Sequence, residues 1–181
     1  MTACDRAEIT IRLALPEDAG DLPEIERSAG QVFRTVPDLA WIADDAVMSA
    51  EAHLASIVAG TSWVASDMTG EVVGFLSAER IDDELHVWEL AVRAERQGRG
   101  SGAHLVGAAI GHAKASGLRA LTLTTFRALA WNERFYARFG FLTLDERTID
   151  GRLRVVLERE AMHGLPIARR CAMRLDLIAS N

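Results

Sequence analysis

Three alternating glycines carry the most specific chemical signal in this sequence. They stand in the run Gln97-Gly-Arg-Gly-Ser-Gly102, between two hydrophobic patterns of different period. Residues 84–92 alternate like a β-strand, whereas apolar residues recur at helical spacing from Ala103 to Ala113. Glycines let a backbone approach a phosphate closely, and the N–H groups and positive dipole end of a helix start hold negative charge. The run therefore predicts a site for a phosphate-bearing ligand.

The three glycines could have a role other than the phosphate site described above. They could form only a turn between strand and helix. Gly98-x-Gly100-x-x-Ala103 approximates the dinucleotide-binding fingerprint, but the polar stretch 93–97 separates the strand from the first glycine. The next β-rich run ends in Thr124-Thr125-Phe126, with no acidic residue for a ribose. No Gly-Lys-Ser/Thr follows a glycine loop, which excludes a nucleoside-triphosphate loop.

Two motifs resemble those of a known family. Gln97-x-x-Gly100-x-Gly102 is similar to the Gln/Arg-x-x-Gly-x-Gly/Ala signature of the GNAT superfamily of acyl-CoA-dependent N-acetyltransferases. Phe135-Tyr-Ala-Arg-Phe-Gly-Phe141 resembles the second motif of that family. The strongest similarity covers residues 84–141, and the order strand, loop, helix, strand, helix fits.

The order of predicted elements indicates one α/β domain with a mostly antiparallel sheet and one parallel strand pair. The resemblance implies a single N-acetyltransferase domain over residues 1–181, with helices flanking the sheet and the parallel pair splayed. Its cofactor core would span 84–141, and the N-terminal helices together with 142–181 would shape the acceptor side. Two local predictions are specific: Ser49 caps a helix with Leu54, Ile57 and Val58 inward, and residues 131–139 form a helix.

The resemblance implies that the chain binds acetyl-CoA as donor substrate. The loop backbone would hold the pyrophosphate, and backbone groups at the end of the preceding strand would pair with the pantetheine amides. Many family members have a cofactor-binding Asn seven positions before the tyrosine, where this chain has Leu129; Asn132 would replace that contact or only begin a helix. The implied donor-binding residues are Leu90, Ala91, Val92, Gln97, Gly98, Arg99, Gly100, Ser101, Gly102, Asn132 and Tyr136.

The resemblance also suggests catalytic residues. Tyr136, the only tyrosine, matches the common acid position and would protonate the leaving thiolate; its alternative role is packing beside neighbouring phenylalanines. His86 is the better-matched general base and, with an ordinary pKa of about 6.5, would be mostly neutral. Its alternative is a hydrogen-bonded strand histidine. Glu89 is the second candidate base, which a β-bulge would have to re-aim.

The expected reaction is direct attack of a primary amine on the thioester of acetyl-CoA. The alternatives are a longer-chain acyl-CoA transferase and a non-catalytic acyl-CoA-binding module. The acceptor side is expected from residues 33–45. Four side chains in this segment could suit a cationic amine or lie as solvated surface: Asp38, Trp41, Asp44 and Asp45. A predicted helix at 152–163 could join them, although Asp150-Gly151 also allows a hairpin.

Composition limits the remaining classes. The 181 residues, 49% hydrophobic and 25% charged, have the composition of an ordinary globular domain. A net charge of −6 argues against nucleic acid as the main partner. No apolar run approaches the ~20 residues that cross a bilayer, and the first residues lack the apolar stretch of a signal segment, so none is expected. We expect a cytoplasmic protein without a membrane partner, in which a homodimer is compatible with family habit.

The remaining reactive side chains favour direct transfer without metal. Cys4 and Cys171 lie far from both motifs, so neither a disulfide framework nor an acetyl-cysteine intermediate is expected. The sequence has no His-Glu-x-x-His motif and no Cys/His cluster, and we therefore predict no metal site.

Overall fold

A computed structural model describes residues 9–177. Numbered along the chain, its strands are β1 (Thr10–Leu13), β2 (Ser62–Ser66), β3 (Val72–Ile81), β4 (Glu84–Val92), β5 (Ala120–Phe126), β6 (Leu142–Thr143) and β7 (Arg170–Asp176). Its α-helices are α1 (Leu22–Gly30), α2 (Ala50–Val58), α3 (Ser101–Ala115), α4 (Glu133–Ala137) and α5 (Gly151–Met162). The strands form one mixed sheet in the order β1-β2-β3-β4-β5-β7-β6, which confirms the predicted α/β class.

The sheet contains the predicted parallel pair. β4 and β5 run parallel, with Glu84–Val87 in register with Ala120–Leu123. β1 with β2, β2 with β3, β5 with β7 and β6 with β7 are antiparallel, so the sheet is mostly antiparallel as expected. The parallel register covers only the first four residues of β4, which continues to Val92.

The described residues cluster into two compact units. The first contains the residues up to Glu79 together with Glu89–His112. In it, the Ser49 hydroxyl accepts a hydrogen bond from the Ala52 N–H at 3.2 Å, which confirms the predicted cap of α2. The prediction that Val58 points inward is wrong, because its side chain is 80% exposed. The buried stripe of α2 runs instead through His53 and Ile57, four residues apart, and Val58 lies about 100° round the helix from Ile57.

The second unit contains Arg80–Trp88 and the residues from Ala113 onward. The predicted helix after Asp150 is confirmed over the hairpin, since the Asp150 carboxylate accepts from the Leu153 N–H at 2.8 Å and caps α5. Leu153 is fully buried. The core of this unit contains large buried side chains, each at most 2% exposed: Leu85, Leu121, Leu123, Phe141, Leu153 and Met173.

One predicted helix is shorter than expected, and the segment between α1 and α2 consists largely of 3-10 turns. The helix predicted at 131–139 is confined to Glu133–Ala137, because Asn132 has a non-helical backbone and the chain turns out of the helix before Gly140. Residues 31–44, most of which lie in the segment expected at the acceptor side, form two 3-10 turns, the second of which begins at Pro37. None of the helices within residues 9–177 combines the length and apolar character needed to span a membrane.

Candidate functional site

The connection between β4 and α3 is a short loop that contains a 3-10 turn. After a 3-10 turn at Ala94–Arg96, the Gln97 side-chain amide donates a hydrogen bond to the Val92 carbonyl at 3.0 Å. Gly98 and Gly100 have φ angles of +75° and +99°, which L-side chains rarely adopt. Gln97 therefore holds the loop to the strand end, and the two glycines turn the chain into α3.

The start of α3 carries unused hydrogen-bond donors. Ser101 is 2% exposed, and its Oγ has no hydrogen-bond partner among residues 9–177. Leaving a buried hydroxyl unpaired costs about 1–3 kcal/mol. The first N–H groups of any helix, here around Ser101 and Gly102, also lack carbonyl partners within the helix and lie at its positive dipole end. These donors together suit a ligand with several anionic oxygens.

The two loop arginines have different surroundings. Arg96 donates to Asp67 at 2.9 Å, and the Asp67 side chain is only 8% exposed. A hydrogen bond from the Thr69 hydroxyl, helped by nearby backbone N–H groups and Arg96, lowers the pKa of Asp67. Arg96 therefore ties the loop to the turn between β2 and β3, which leaves the exposed Arg99 as the arginine on the loop surface.

The end of β4 and the glycine loop both belong to the first unit. Ala91 is 1% exposed, whereas Glu89, Leu90 and Val92 are half-buried. The chain thus presents one acidic side chain and a short stretch of strand backbone immediately before the loop. Both features were expected from the sequence, and their roles stay predictions.

Asn132 and Tyr136 lie one helical turn apart in the second unit. The Asn132 carbonyl accepts from the Tyr136 N–H at 3.1 Å, so Asn132 does begin α4. Its side chain does not cap the helix but donates from Nδ2 to the Thr125 hydroxyl at 2.8 Å. Asn132 Oδ1 is buried and has no partner in the described part of the chain, so it is an acceptor that a ligand N–H could satisfy.

Tyr136 is a packed aromatic residue. It is 9% exposed, with its ring centroid 5.1 Å from that of Phe135 and 5.8 Å from that of Phe141. Phe139 packs in turn against Phe135. The aromatic contacts predicted as its alternative role are therefore present, and they fix the ring without excluding chemistry at the hydroxyl.

His86 is fully buried on the second-unit part of β4. Its Nδ1 lies 2.9 Å from the Thr122 hydroxyl on β5 and 3.4 Å from a guanidinium nitrogen of Arg152 on α5. Burial, with a smaller effect of Arg152, lowers the pKa of His86 to about 4. The hydrogen bonds expected of a strand histidine are therefore present, and the catalytic role of His86 stays a prediction.

Two polar contacts hold α5 against one face of β5. Arg152 donates to the Thr122 hydroxyl at 3.1 Å, and the Thr124 hydroxyl donates to Glu160. Thr125, the partner of Asn132, alternates to the other face of β5. The structure therefore places His86 and Asn132 against opposite faces of this strand. Sequence inspection missed Arg152 and Thr122, because no local pattern links the first turn of α5 to β4.

Side chains proposed for the acceptor are partly engaged. Asp44 forms an ion pair with Arg34, which neutralises one of the acidic residues expected to attract a cationic amine. Trp41 is 40% exposed.

Cys171 is buried, and its burial raises the pKa of the thiol to about 11, whereas Cys4 lies outside the described residues.

The comparison with protein families decides where this chain belongs. A model described as the acetyltransferase (GNAT) family matches residues 31–141, which include the glycine loop, Asn132 and Tyr136. The chain belongs to the GNAT acetyltransferase family. The resemblance seen in the sequence is thereby confirmed, and acyltransferase activity is the family's common chemistry.

Solved structures share the fold of this GNAT chain. The PaiA N-acetyltransferase of Thermoplasma acidophilum, in complex with coenzyme A, has a TM-score of 0.70 at 20% identity, over 93% of this chain and 99% of that one. YncA of Salmonella typhimurium, a putative acetyltransferase with acetyl-CoA, has a TM-score of 0.65 at 19% identity and 95% coverage of both. The ribosomal-protein-S18-alanine N-acetyltransferase of Escherichia coli has a TM-score of 0.63 at 15% identity, over 96% and 97%.

The lowered pKa of His86 predicts how the stability of this GNAT protein changes with pH. The unfolded chain takes up a proton near pH 6.5, whereas folded His86 takes it up only near pH 4. Stability present above pH 6.5 is therefore lost as pH falls towards 4, by roughly 3 kcal/mol. In urea unfolding between pH 7 and 4.5, His86→Gln should lose less stability than the wild type.

The exposed His104 on α3 offers a matched control for this measurement. His104→Gln should keep the wild-type pH dependence of the unfolding free energy. Identical pH dependence in His86→Gln and the wild type would show that His86 titrates normally in the folded protein.

Proposed function

We propose that this chain transfers an acetyl group from acetyl-CoA to a primary amine, which attacks the thioester directly. The observation that carries the proposal is the start of α3, where two left-handed glycines precede a buried Ser101 hydroxyl that has no partner among the described residues. Neighbours of the same fold that were solved with coenzyme A or acetyl-CoA support this choice of donor.

The donor-binding roles follow from the groups that lack partners. The N–H groups of Gly98 to Gly102 and the Ser101 hydroxyl would hold the pyrophosphate, with Gln97 fixing the loop and Arg99 adding positive charge. Backbone groups of Leu90, Ala91 and Val92 would pair with the pantetheine amides. Asn132 Oδ1 would accept from an N–H of the donor substrate, because it is buried and has no partner within residues 9–177.

The amine must lose a proton before it attacks. A lysine-like amine has a pKa of about 10.4, so holding it neutral at pH 7 costs roughly 4–5 kcal/mol, which a general base offsets. Of the two candidates, we favour Glu89, which is half-buried on β4. His86 is neutral but a weak proton acceptor, since burial holds its pKa at about 4.

The leaving thiolate must gain a proton. Tyr136 has the required chemistry, because a phenol with an ordinary pKa of about 10 can protonate a departing thiolate. Its ring is fixed by Phe135 and Phe141, which limits the positions that the hydroxyl can take. Cys171 is a poor candidate for a covalent acetyl intermediate, since its buried thiol has a pKa of about 11.

For the acceptor we favour a cationic amine that meets residues 33–45. Trp41 supplies an aromatic face that is 40% exposed, which suits a cation–π contact. Asp38 adds an acidic side chain in the same 3-10 turn. The charge of Asp44 is already balanced by Arg34, so the attraction is weaker than the sequence alone suggests.

Ser101→Ala should raise the free energy of unfolding of the ligand-free protein by about 1 kcal/mol, because it removes an unsatisfied buried hydroxyl. The same change should weaken acetyl-CoA binding about ten-fold, because it removes a donor to phosphate. Urea unfolding and titration calorimetry measure the two effects. Ser66→Ala removes another buried, unpartnered hydroxyl and should change stability but not affinity. Unaltered affinity in Ser101→Ala would refute the phosphate role.

Tyr136→Phe should lower kcat about 100-fold or more while acetyl-CoA affinity stays near the wild-type value, because only the proton donor is lost. Thiol release under saturating donor and amine measures kcat. Phe139→Leu is the control, since it alters the same aromatic group and keeps the phenol. Turnover at the wild-type level in Tyr136→Phe would remove Tyr136 as the acid.

A further inference from the structure

The hydrogen bonds of His86 are distributed unequally over its two ring nitrogens. Nδ1 faces both the Thr122 hydroxyl at 2.9 Å and a guanidinium nitrogen of Arg152 at 3.4 Å. Nε2 is buried and has no hydrogen-bond partner within residues 9–177. A buried imidazole nitrogen without a partner is uncommon and calls for a physical explanation.

Counting donors around Nδ1 fixes the position of the ring proton. One Arg152 nitrogen donates to Glu84 at 2.9 Å and to the Thr122 hydroxyl at 3.1 Å, which uses both of its hydrogens. The hydroxyl thus accepts from Arg152 and can give its own hydrogen to His86. A guanidinium can only donate, so its other nitrogen also requires a lone pair on Nδ1. The contact with the Arg152 guanidinium thus favours the neutral tautomer that carries its proton on Nε2.

The charges around the ring keep it neutral. Burial and Arg152 oppose protonation of His86, and Asp150 at the cap of α5 favours it more weakly. Arg152 itself is held by the buried carboxylate of Glu84, which Arg119 and Arg174 also contact. These contacts hold the positively charged guanidinium group of Arg152 beside Nδ1. The ring therefore does not take up a second proton at neutral pH.

We propose that Arg152 is a positioning residue, which together with Thr122 locks His86 in the Nε2–H form. His86 then offers a buried hydrogen-bond donor to an oxygen atom, supplied by an ordered water or by a reactant. It does not act as a general base. The tautomer is independent of the proposed function, and only the reactant as source of the oxygen rests on it.

The surroundings of His86 suit this role. Trp88, the next residue on the same face of β4, has its ring centroid 4.3 Å from that of His86 and is 43% exposed. The face therefore changes from fully buried to open within two residues, and His86 lies at that boundary. A hydrogen bond donated by Nε2–H at this position is shielded from bulk water, and the low local dielectric strengthens it.

α5 is anchored at its far end by contacts that do not involve Arg152. Glu160 receives two hydrogen bonds from Arg170, at 2.8 and 2.9 Å, and another from Thr124. The helix also buries Leu153 and Val156. Substitution of Arg152 should therefore change the environment of His86 without releasing α5 from the unit.

Long-range ¹⁵N–¹H correlation spectra of the histidine rings test the proposal on the full chain without ligands. The signal lost in His86→Gln identifies His86 among the five histidines. We expect a protonated Nε2 and an unprotonated Nδ1 that do not change between pH 8 and 5.5. A proton on Nδ1, or titration of the ring near pH 6.5, would overturn the proposal.

Variants separate positioning from structure. Arg152→Met and Thr122→Val should each move the His86 ring towards a mixture of tautomers, whereas Thr122→Ser keeps the hydroxyl and the Nε2–H form. Arg159→Met, an exposed arginine of the same helix, should leave the spectrum unchanged. An unaltered His86 spectrum in both Arg152→Met and Thr122→Val would refute the positioning role.

Adding coenzyme A or acetyl-CoA to the wild type distinguishes the two oxygen sources. A shift of the Nε2–H proton with acetyl-CoA but not with coenzyme A supports the acyl oxygen as partner. An unchanged resonance with both supports an ordered water. Failure of the proposed acetyl transfer would leave the tautomer measurement in the ligand-free protein intact.

Discussion

The turn from β4 into α3 depends on backbone angles that few residues other than glycine can adopt. Gly98 and Gly100 both have positive φ, and the second lies outside the region that even Asn or Asp visits easily. This turn brings the unpaired N–H groups of a 15-residue helix and the Ser101 hydroxyl to the loop. Within the described part of the chain the buried Ser101 hydroxyl has no hydrogen-bond partner, a stability cost that a bound anion would relieve.

The second unit relies on a different kind of constraint. α5 is held to β5 by hydrogen bonds between charged side chains and strand threonines, at Arg152 near its start and Glu160 near its end. Such contacts are directional, so they fix the rotation of the helix more strictly than apolar packing does. The neutral, buried state of His86 is one result of that fixed geometry.

Local signals in the sequence predicted much of this fold. β4 has the predicted bounds, Glu84–Val92, and Ser49 caps α2 as predicted, with a side-chain acceptor three residues before its donor. Errors arose where distant contacts decide the outcome. Val58 continues an apolar helical pattern, yet the buried face of α2 is centred on His53 and Ile57 because those residues meet the core.

In the candidate site, too, short motifs reveal some residues, and contacts between distant parts of the chain determine others. The glycine loop and Tyr136 are recognisable from short motifs, because the chemistry needs those residue types at fixed spacing. The partners of His86 come from β5 and from α5, 36 and 66 residues further along the chain, and no spacing rule connects them. Most of the segment 33–45, which is proposed to meet the acceptor, forms 3-10 turns, and no short motif in the sequence identifies an acceptor there.

Amine-dependent thiol release from acetyl-CoA tests the central claim most directly. The protein would be incubated with acetyl-CoA and a panel of polyamines, aminoglycosides and peptides with free N-termini or lysines. A colorimetric thiol reagent would measure the free thiol, and mass spectrometry would detect the acetylated product. The account predicts that at least one amine yields equal amounts of thiol and N-acetylated product. Tight acetyl-CoA binding with no amine-dependent release, or thiol release without acetylated amine, would contradict it.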